Sequence, residues 1–198
     1  MFVITDDSDL QLVERPVPVP GPGEVLIRVE HAGANRADLS QVEGKYPPPK
    51  GASNILGLEV SGHRVDTGER VMALLSAGGY ANYVAVPEGQ VMAVPDNLDQ
   101  TQAAAIPESL ATAWSNLVDV LRVGEGDTVL IQGGSGSLGT VAIQLARELG
   151  ARVLATAGGA ERCGLVEELG AEAVDHTSDV AKKFCSPMTV ASFNACST

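Results

Sequence analysis

Thr128-Val-Leu-Ile-Gln-Gly133 runs directly into Gly134-Ser-Gly-Ser-Leu-Gly139 and then into the segment from Thr140 to Gly150. A short continuous apolar run such as Val129-Leu130-Ile131 reads as a strand of a parallel sheet buried on both faces. The segment after it carries Leu138, Val141, Ala142, Leu145, Ala146 and Leu149 at three- and four-residue spacing, the pattern of one helix face, and Gly150 supplies a left-handed stop. A second apolar run, Arg152-Val-Leu-Ala-Thr156, follows at once. The order strand, helix, strand at this length predicts a right-handed βαβ unit.

Between the first strand and its helix the glycines fall in a GxGxxG pattern, and each has a physical reason there. Gly134 is expected to make the tight turn off the strand, Gly136 to let backbone approach a pyrophosphate, and Gly139 to let the helix pack closely on the sheet. Ser137 and Leu138 then begin the helix, whose free N–H groups and positive dipole end suit a phosphate. Placement between a strand and a helix is the context that makes this spacing a dinucleotide site rather than a chance run among 22 glycines.

Cofactor choice is read where the second strand ends. Sites for NAD usually place a carboxylate there to hold the ribose, whereas here the chain reads Ala157-Gly158-Gly159-Ala160-Glu161-Arg162. Gly158 and Gly159 leave room and Arg162 offers a planar cation to a phosphate, which points to NADPH; Arg162 as a solvated residue of the next helix is the plainer alternative.

Upstream the texture differs. Val25 to Glu30 and Tyr80 to Val86 alternate at period two, so this part is expected to be mainly β. Pro16, Pro18, Pro20 and Pro22 with Gly21 and Gly23 form an extended connection, because proline fixes φ and lacks an N–H. From Thr101 helical character begins, with Gln102 to Ala105 and then Leu110 to Leu121. The chain therefore divides into a mainly β region at 1–100, the first half of a nucleotide-binding domain at 101–176, and a tail at 177–198 of different character.

Composition narrows the partners. With a net charge of −12 and only 13 basic residues, neither nucleic acid nor an anionic membrane would be drawn by the overall field. The N-terminal MFVITDDSDL lacks the features of a signal peptide and no run is long enough to span a bilayer, so a cytoplasmic location is expected. Cys163, Cys185 and Cys196 show neither a disulfide framework nor zinc spacing, and His31, His63 and His176 read as structural or surface residues.

Five further stretches carry a resemblance: Asn35-Arg-Ala-Asp-Leu39, Glu43 to Pro48, Ala52 to Gly62, Gly78 to Val84, and Gln102 to Glu108. Together with the glycine turn they resemble quinone oxidoreductases of the medium-chain dehydrogenase/reductase superfamily, most closely the zinc-free NADPH:quinone branch related to zeta-crystallin, as far as about His176. The resemblance implies a GroES-like catalytic domain, a Rossmann domain and an active site in the cleft between them, giving an α/β fold whose Rossmann half is incomplete. It also implies no metal, since Asn35 and Leu58 stand where zinc relatives carry Cys and His. The implied reaction is hydride transfer from NADPH to a quinone, with reduction of an enoyl thioester or other activated alkene as the enzymatic alternative.

By the same resemblance Asn35 and Tyr46 line the substrate side and Thr112 lies near the nicotinamide. Each has a simpler reading. Asn35 with Asp38 is a helix cap leading through Glu43, Tyr46 is an aromatic anchor beside three prolines, and Thr112 bonds its own helix.

Two segments depart from that family. His63 to Glu69 is short, so a strand there is expected to be clipped or re-registered. The tail after His176 reads as a truncation, splice product or altered frame. Without later strands, Val129 to Ile131 is expected to be an exposed sheet edge, and the surface through which relatives dimerise to be missing. A non-catalytic product that at most binds NADPH or a partner is the third functional expectation.

Overall fold

A computed structural model describes residues 1–4, 10–177 and 189–191. The chain divides into two compact units, Met1–Glu108 and Ser109–Thr198.

In the first unit, β1 (Phe2–Ile4) pairs antiparallel with β2 (Leu12–Glu14). The proline-rich connection has no regular structure and leads to β3 (Glu24–Ala32), then α1 (Arg36–Val42), β4 (Glu59–Arg64), β5 (Arg70–Leu74), β6 (Tyr83–Pro87) and β7 (Val91–Ala93). The main sheet is antiparallel, in the order β6-β3-β4-β5-β7. Period-two alternation turns Val25, Ile27, Val60, Val71, Ala73, Val84 and Val86 into one core. The short His63 to Glu69 segment forms a tight antiparallel connection, with His63 opposite Arg70 and the Arg64 N–H donating to the Glu69 carbonyl at 3.0 Å.

The unit continues past residue 100. Helix α2 (Gln100–Ala103) covers the opposite face of β5, where Met72 packs with Val94 and Ala103. The Gln100 amide donates to the Gly62 carbonyl at 2.9 Å, and Thr101 lies 3.2 Å from His31. The compact units thus part after Glu108, not at 100, because the first helix beyond the β strands is the lid of their second core.

Helix α3 (Pro107–Trp114) follows, continued by a π-helical stretch, Ser115–Val120. The sequence pattern suggests one regular helix from Leu110 to Leu121; instead the Asn116 side chain donates to the Thr112 carbonyl at 2.8 Å and competes with the ordinary backbone donor. Then come β8 (Thr128–Ile131), α4 (Ser137–Glu148), β9 (Arg152–Ala157), α5 (Ala160–Glu168), β10 (Glu172–Asp175) and β11 (Thr189–Ala191).

All four strands are parallel, in the order β10-β9-β8-β11. The expectation of an exposed β8 edge is therefore overturned: Thr189, Val190 and Ala191 pair with Val129, Leu130 and Ile131. The atypical tail supplies a fourth strand on the far side of β8, so strand order reverses there in the manner of a Rossmann sheet. Cys185 and Cys196 lie outside the described residues.

On one face of this sheet Val129, Ile131, Val153 and Ala155 pack under Ala142, Ile143, Ala146 and Val166; on the other, Leu130, Leu154 and Val174 cluster. The buried stripe of α4 is Gly139, Ala142, Ile143 and Ala146, with the predicted Leu138, Val141, Leu145 and Leu149 packed beside it. Small residues face the sheet because the close contact at Gly139 rolls the helix by about one position.

Candidate functional site

The turn between β8 and α4 is built almost entirely from backbone. Gly133, with φ 71°, makes the left-handed turn that the glycine spacing assigns to Gly134. Gly134 instead permits close packing: a Cβ there would lie 2.7 Å from the Ala155 Cβ and 3.1 Å from Val166. Its N–H donates to the Thr156 carbonyl at 2.8 Å, and the Gly133 N–H to the Thr156 hydroxyl at 2.9 Å, so β9 pins the turn. At Gly139 a Cβ would collide with the Gly133 carbonyl.

Gly136 is different. It caps α4 in extended conformation, and a Cβ there would meet only the Gly133 oxygen, at 3.4 Å. The protein's own packing does not demand glycine at 136. What glycine provides is open backbone at the head of a 12-residue helix, where Ser137, Leu138 and Gly139 bring first-turn N–H groups that have no acceptor inside the helix. Dipole, donors and clearance fit a diphosphate.

The second predicted turn lies beside the first, since β8 and β9 are paired neighbours. Gly159, with φ 81°, starts α5, and Arg162 is exposed in its first turn with no ion-pair partner among the described residues. Two groups come from the end of β10: Asp175, which sequence reading passed over, and His176, which it took as structural or surface. Asp175 Oδ1 accepts from the Gly159 N–H at 3.2 Å and from the N–H and hydroxyl of Thr177 at 2.9 and 2.7 Å. Those hydrogen bonds, the Thr177 side chain's first, hold its carboxyl below the usual aspartate range. The His176 ring closes over Gly158, where a Cβ would lie 3.0 Å from its Cε1 and Nε2. A carboxylate thus does stand near this turn, but it belongs to the third strand and is occupied in holding the turn's backbone.

In the first unit Asn35 caps α1 and is tied to a buried carboxyl. Its N–H donates to Asp38 Oδ2 at 2.7 Å, and its side-chain amide donates to Glu59 Oε1 at 2.8 Å. Glu59 Oε2 accepts the backbone N–H of Glu108 at 3.0 Å, at the head of α3. Asp38 Oδ2 also accepts the Tyr80 hydroxyl at 2.7 Å. Asp38 and Glu59 are 5% and 2% exposed, so two carboxyls are enclosed within one hydrogen-bonded group.

Burial is the main cause raising the Glu59 carboxyl above its ordinary value; the bonds from Glu108 and Asn35 oppose it and Asp38 adds to it. Burial likewise raises the Tyr80 hydroxyl, reinforced by its bond to Asp38. Leu58, beside Glu59, is buried.

Tyr46 lies beyond α1, its N–H donating to the Ser40 carbonyl at 3.1 Å and its side chain exposed at 52%, so it is not a packed anchor. Thr112 sits in α3, its carbonyl held by Asn116. Glu59 and Tyr80 were missed because nothing in their local sequence marks them as partners of Asn35 and Asp38 respectively; the pointer was their position inside stretches carrying the family resemblance.

With this geometry in place, residues 21–96 match the family described as Alcohol dehydrogenase GroES-like domain. The chain's architecture, a GroES-like unit followed by the parallel strands of a Rossmann-like unit, is the one found in medium-chain dehydrogenase/reductases. Its fold is similar to that of the quinone oxidoreductase from Thermus thermophilus, solved alone and with NADPH, at TM-score 0.79 and 38% identity over 89% of this chain and 59% of that one. The quinone oxidoreductase of Pseudomonas syringae pv. Tomato DC3000 is similar at TM-score 0.80 and 28% identity, covering 92% of this chain and 61% of that one. In sequence the chain is 34% identical over 186 residues to a phthioceranic/hydroxyphthioceranic acid synthase of Mycobacterium bovis, covering 86% of this chain and 9% of the synthase. The reductase-like chain thus spans about three fifths of those structural relatives and a small part of the curated synthases it matches. Among the described residues, no helix is long and apolar enough to cross a membrane.

Proposed function

We propose that this chain is an NADPH-dependent reductase that delivers hydride to a quinone without a metal. The observation that carries the reading is the Gly136 turn, whose open backbone at the head of α4 suits a diphosphate and has no packing reason to be glycine. When bound, the nicotinamide supplies the hydride. Ser137, Leu138 and Gly139 would hold the diphosphate through backbone N–H groups, Gly158 and Gly159 would leave room for the adenosine end, and Arg162 would meet a 2′-phosphate. Thr112 would lie toward the nicotinamide.

On the substrate side Asn35 and Tyr46 would hydrogen-bond the acceptor oxygen as charge develops on it. Asn35 and Leu58 offer neither thiolate nor imidazole, the donors that zinc prefers, so an acceptor already prone to take hydride suits this site. A quinone is such an acceptor. The similarity to an acid synthase supports a second reading, reduction of an activated alkene held in an enoyl thioester. We infer a small-molecule substrate and no nucleic-acid partner from the charge of −12.

The test mixes the full chain with NADPH and either an ortho-quinone or a crotonyl thioester, following loss of the nicotinamide absorbance. Faster loss with the quinone supports the first reading and faster loss with the thioester replaces it by the second. Calorimetric titration with NADPH accompanies the assay; binding without turnover of either acceptor would leave only a nucleotide-binding module.

A further inference from the structure

We propose that Glu59 is a positioning residue for Asn35, dictating which edge of the Asn35 amide faces away from the protein and hence what a substrate meets. The proposal rests on the reading of Asn35 as a substrate contact. An ionised carboxylate only accepts hydrogen bonds, so each oxygen of Glu59 requires a donor opposite it. Oε1 has the Asn35 Nδ2 at 2.8 Å and Oε2 the Glu108 N–H at 3.0 Å. With Nδ2 committed to Glu59 and the side-chain oxygen turned toward the Asp38 N–H in the capping box of α1, Asn35 keeps its second amide N–H to offer a substrate.

The arrangement is built rather than incidental. Glu59 is 2% exposed, and a Cβ on Gly33 would collide with its carboxyl, so the chain after β3 closes directly over it. Opposite Glu59 in the sheet lies Leu74 of β5, which offers no competing donor. The titratable groups facing it are Asp38 on α1 and Tyr80 before β6, themselves bonded to each other, while Glu108 contributes its backbone. A protonated Glu59 would carry a donor of its own; the Nδ2 bond to Oε1 would then weaken, leaving the Asn35 amide held by the cap alone and its remaining N–H no longer fixed toward the substrate.

The experiment follows the Glu59 carboxyl carbon and the Asn35 side-chain amide by NMR through a pH titration of the full labelled chain, with the amide of Asn54 as internal reference. Expected is one common midpoint above the ordinary glutamate value of 4.5 for both groups, and none for Asn54. In Glu59→Gln the Asn35 transition should vanish. An Asn35 amide indifferent to Glu59, or one that keeps its transition in E59Q and so follows Asp38, overturns the proposal. The wild-type titration decides this even if the variant does not fold.

With whichever acceptor is turned over, E59Q should lower kcat by about tenfold and lose the acid limb of its pH profile, with KM for NADPH unchanged. Turnover of neither acceptor defeats the functional reading and leaves the resonance titration to judge this one.

Discussion

The two units make their candidate sites from different materials. In the Ser109–Thr198 unit the site is backbone: consecutive N–H groups at the head of α4, freed by glycines between Gly133 and Gly139. In the Met1–Glu108 unit it is side chains, Asn35, Asp38, Glu59 and Tyr80, gathered from three separate segments around two buried carboxyls. A backbone site tolerates changes of side chain but no added Cβ at its tight contacts. A side-chain site tolerates small changes of backbone but no loss of a single donor.

The largest test of that contrast is Gly139→Ala. Its Cβ has nowhere to go but into the Gly133 carbonyl, so a loss of about 3 kcal/mol is expected, read by urea denaturation with nucleotide binding lost alongside. Asn35→Ala probes the other material. It leaves the buried Glu59 without one donor and should cost about 1–3 kcal/mol in the same experiment, while calorimetric NADPH affinity stays constant. If Asn35→Ala weakened nucleotide binding as much as Gly139→Ala, the separation of roles would be wrong.

Gly136→Ala sharpens the comparison within the turn. Only the Gly133 oxygen lies near the new Cβ, so stability should change by less than about 1 kcal/mol, yet NADPH affinity should fall about tenfold because the methyl occupies the approach to the backbone. A fall in stability matching that of Gly139→Ala would show that the turn needs glycine for itself and not for a ligand. Arg162→Ala should weaken NADPH by roughly threefold to tenfold and leave NADH untouched, as for one exposed cation meeting one phosphate. Equal loss for both cofactors would remove Arg162 from the 2′-phosphate.

The smallest expected effect is on pH. Because the Asp175 carboxyl is held below the ordinary aspartate value of 3.8, its contribution to stability is present above that value and is lost as pH falls through the folded one. Asp175→Asn should therefore lower the melting temperature slightly at neutral pH, with the difference shrinking as pH is lowered below 3.8. A difference that grows on acidification would mean Asp175 does not anchor the β9–α5 turn.

How much could be read in advance follows from the same contrast. The strand at Thr128–Ile131, the helix after Gly136 and the GxGxxG turn were legible because their signals, a short apolar run, the glycine spacing and the helical period, are all local to that one stretch of chain. Within that stretch, the division of labour among Gly133, Gly134 and Gly139 was not, since it depends on how near Ala155 and the Gly133 carbonyl come. Asn35 is legible as a helix cap and, by resemblance alone, as a candidate substrate contact, but its link to Glu59 spans 24 positions and its companion Asp38 meets Tyr80 across 42. No local signal encodes such distances.

What sequence alone determined is the kind of chain this is: β-rich first, then a parallel βαβ unit with a phosphate-type turn, because period, glycine spacing and helix ends are local properties of the backbone. Tertiary structure alone decided where α2 belongs, that Thr189–Ala191 flanks β8, and that a buried Glu59 holds Asn35. Those outcomes rest on strand pairing, shared cores and desolvated charge, which exist only once distant residues have been brought together.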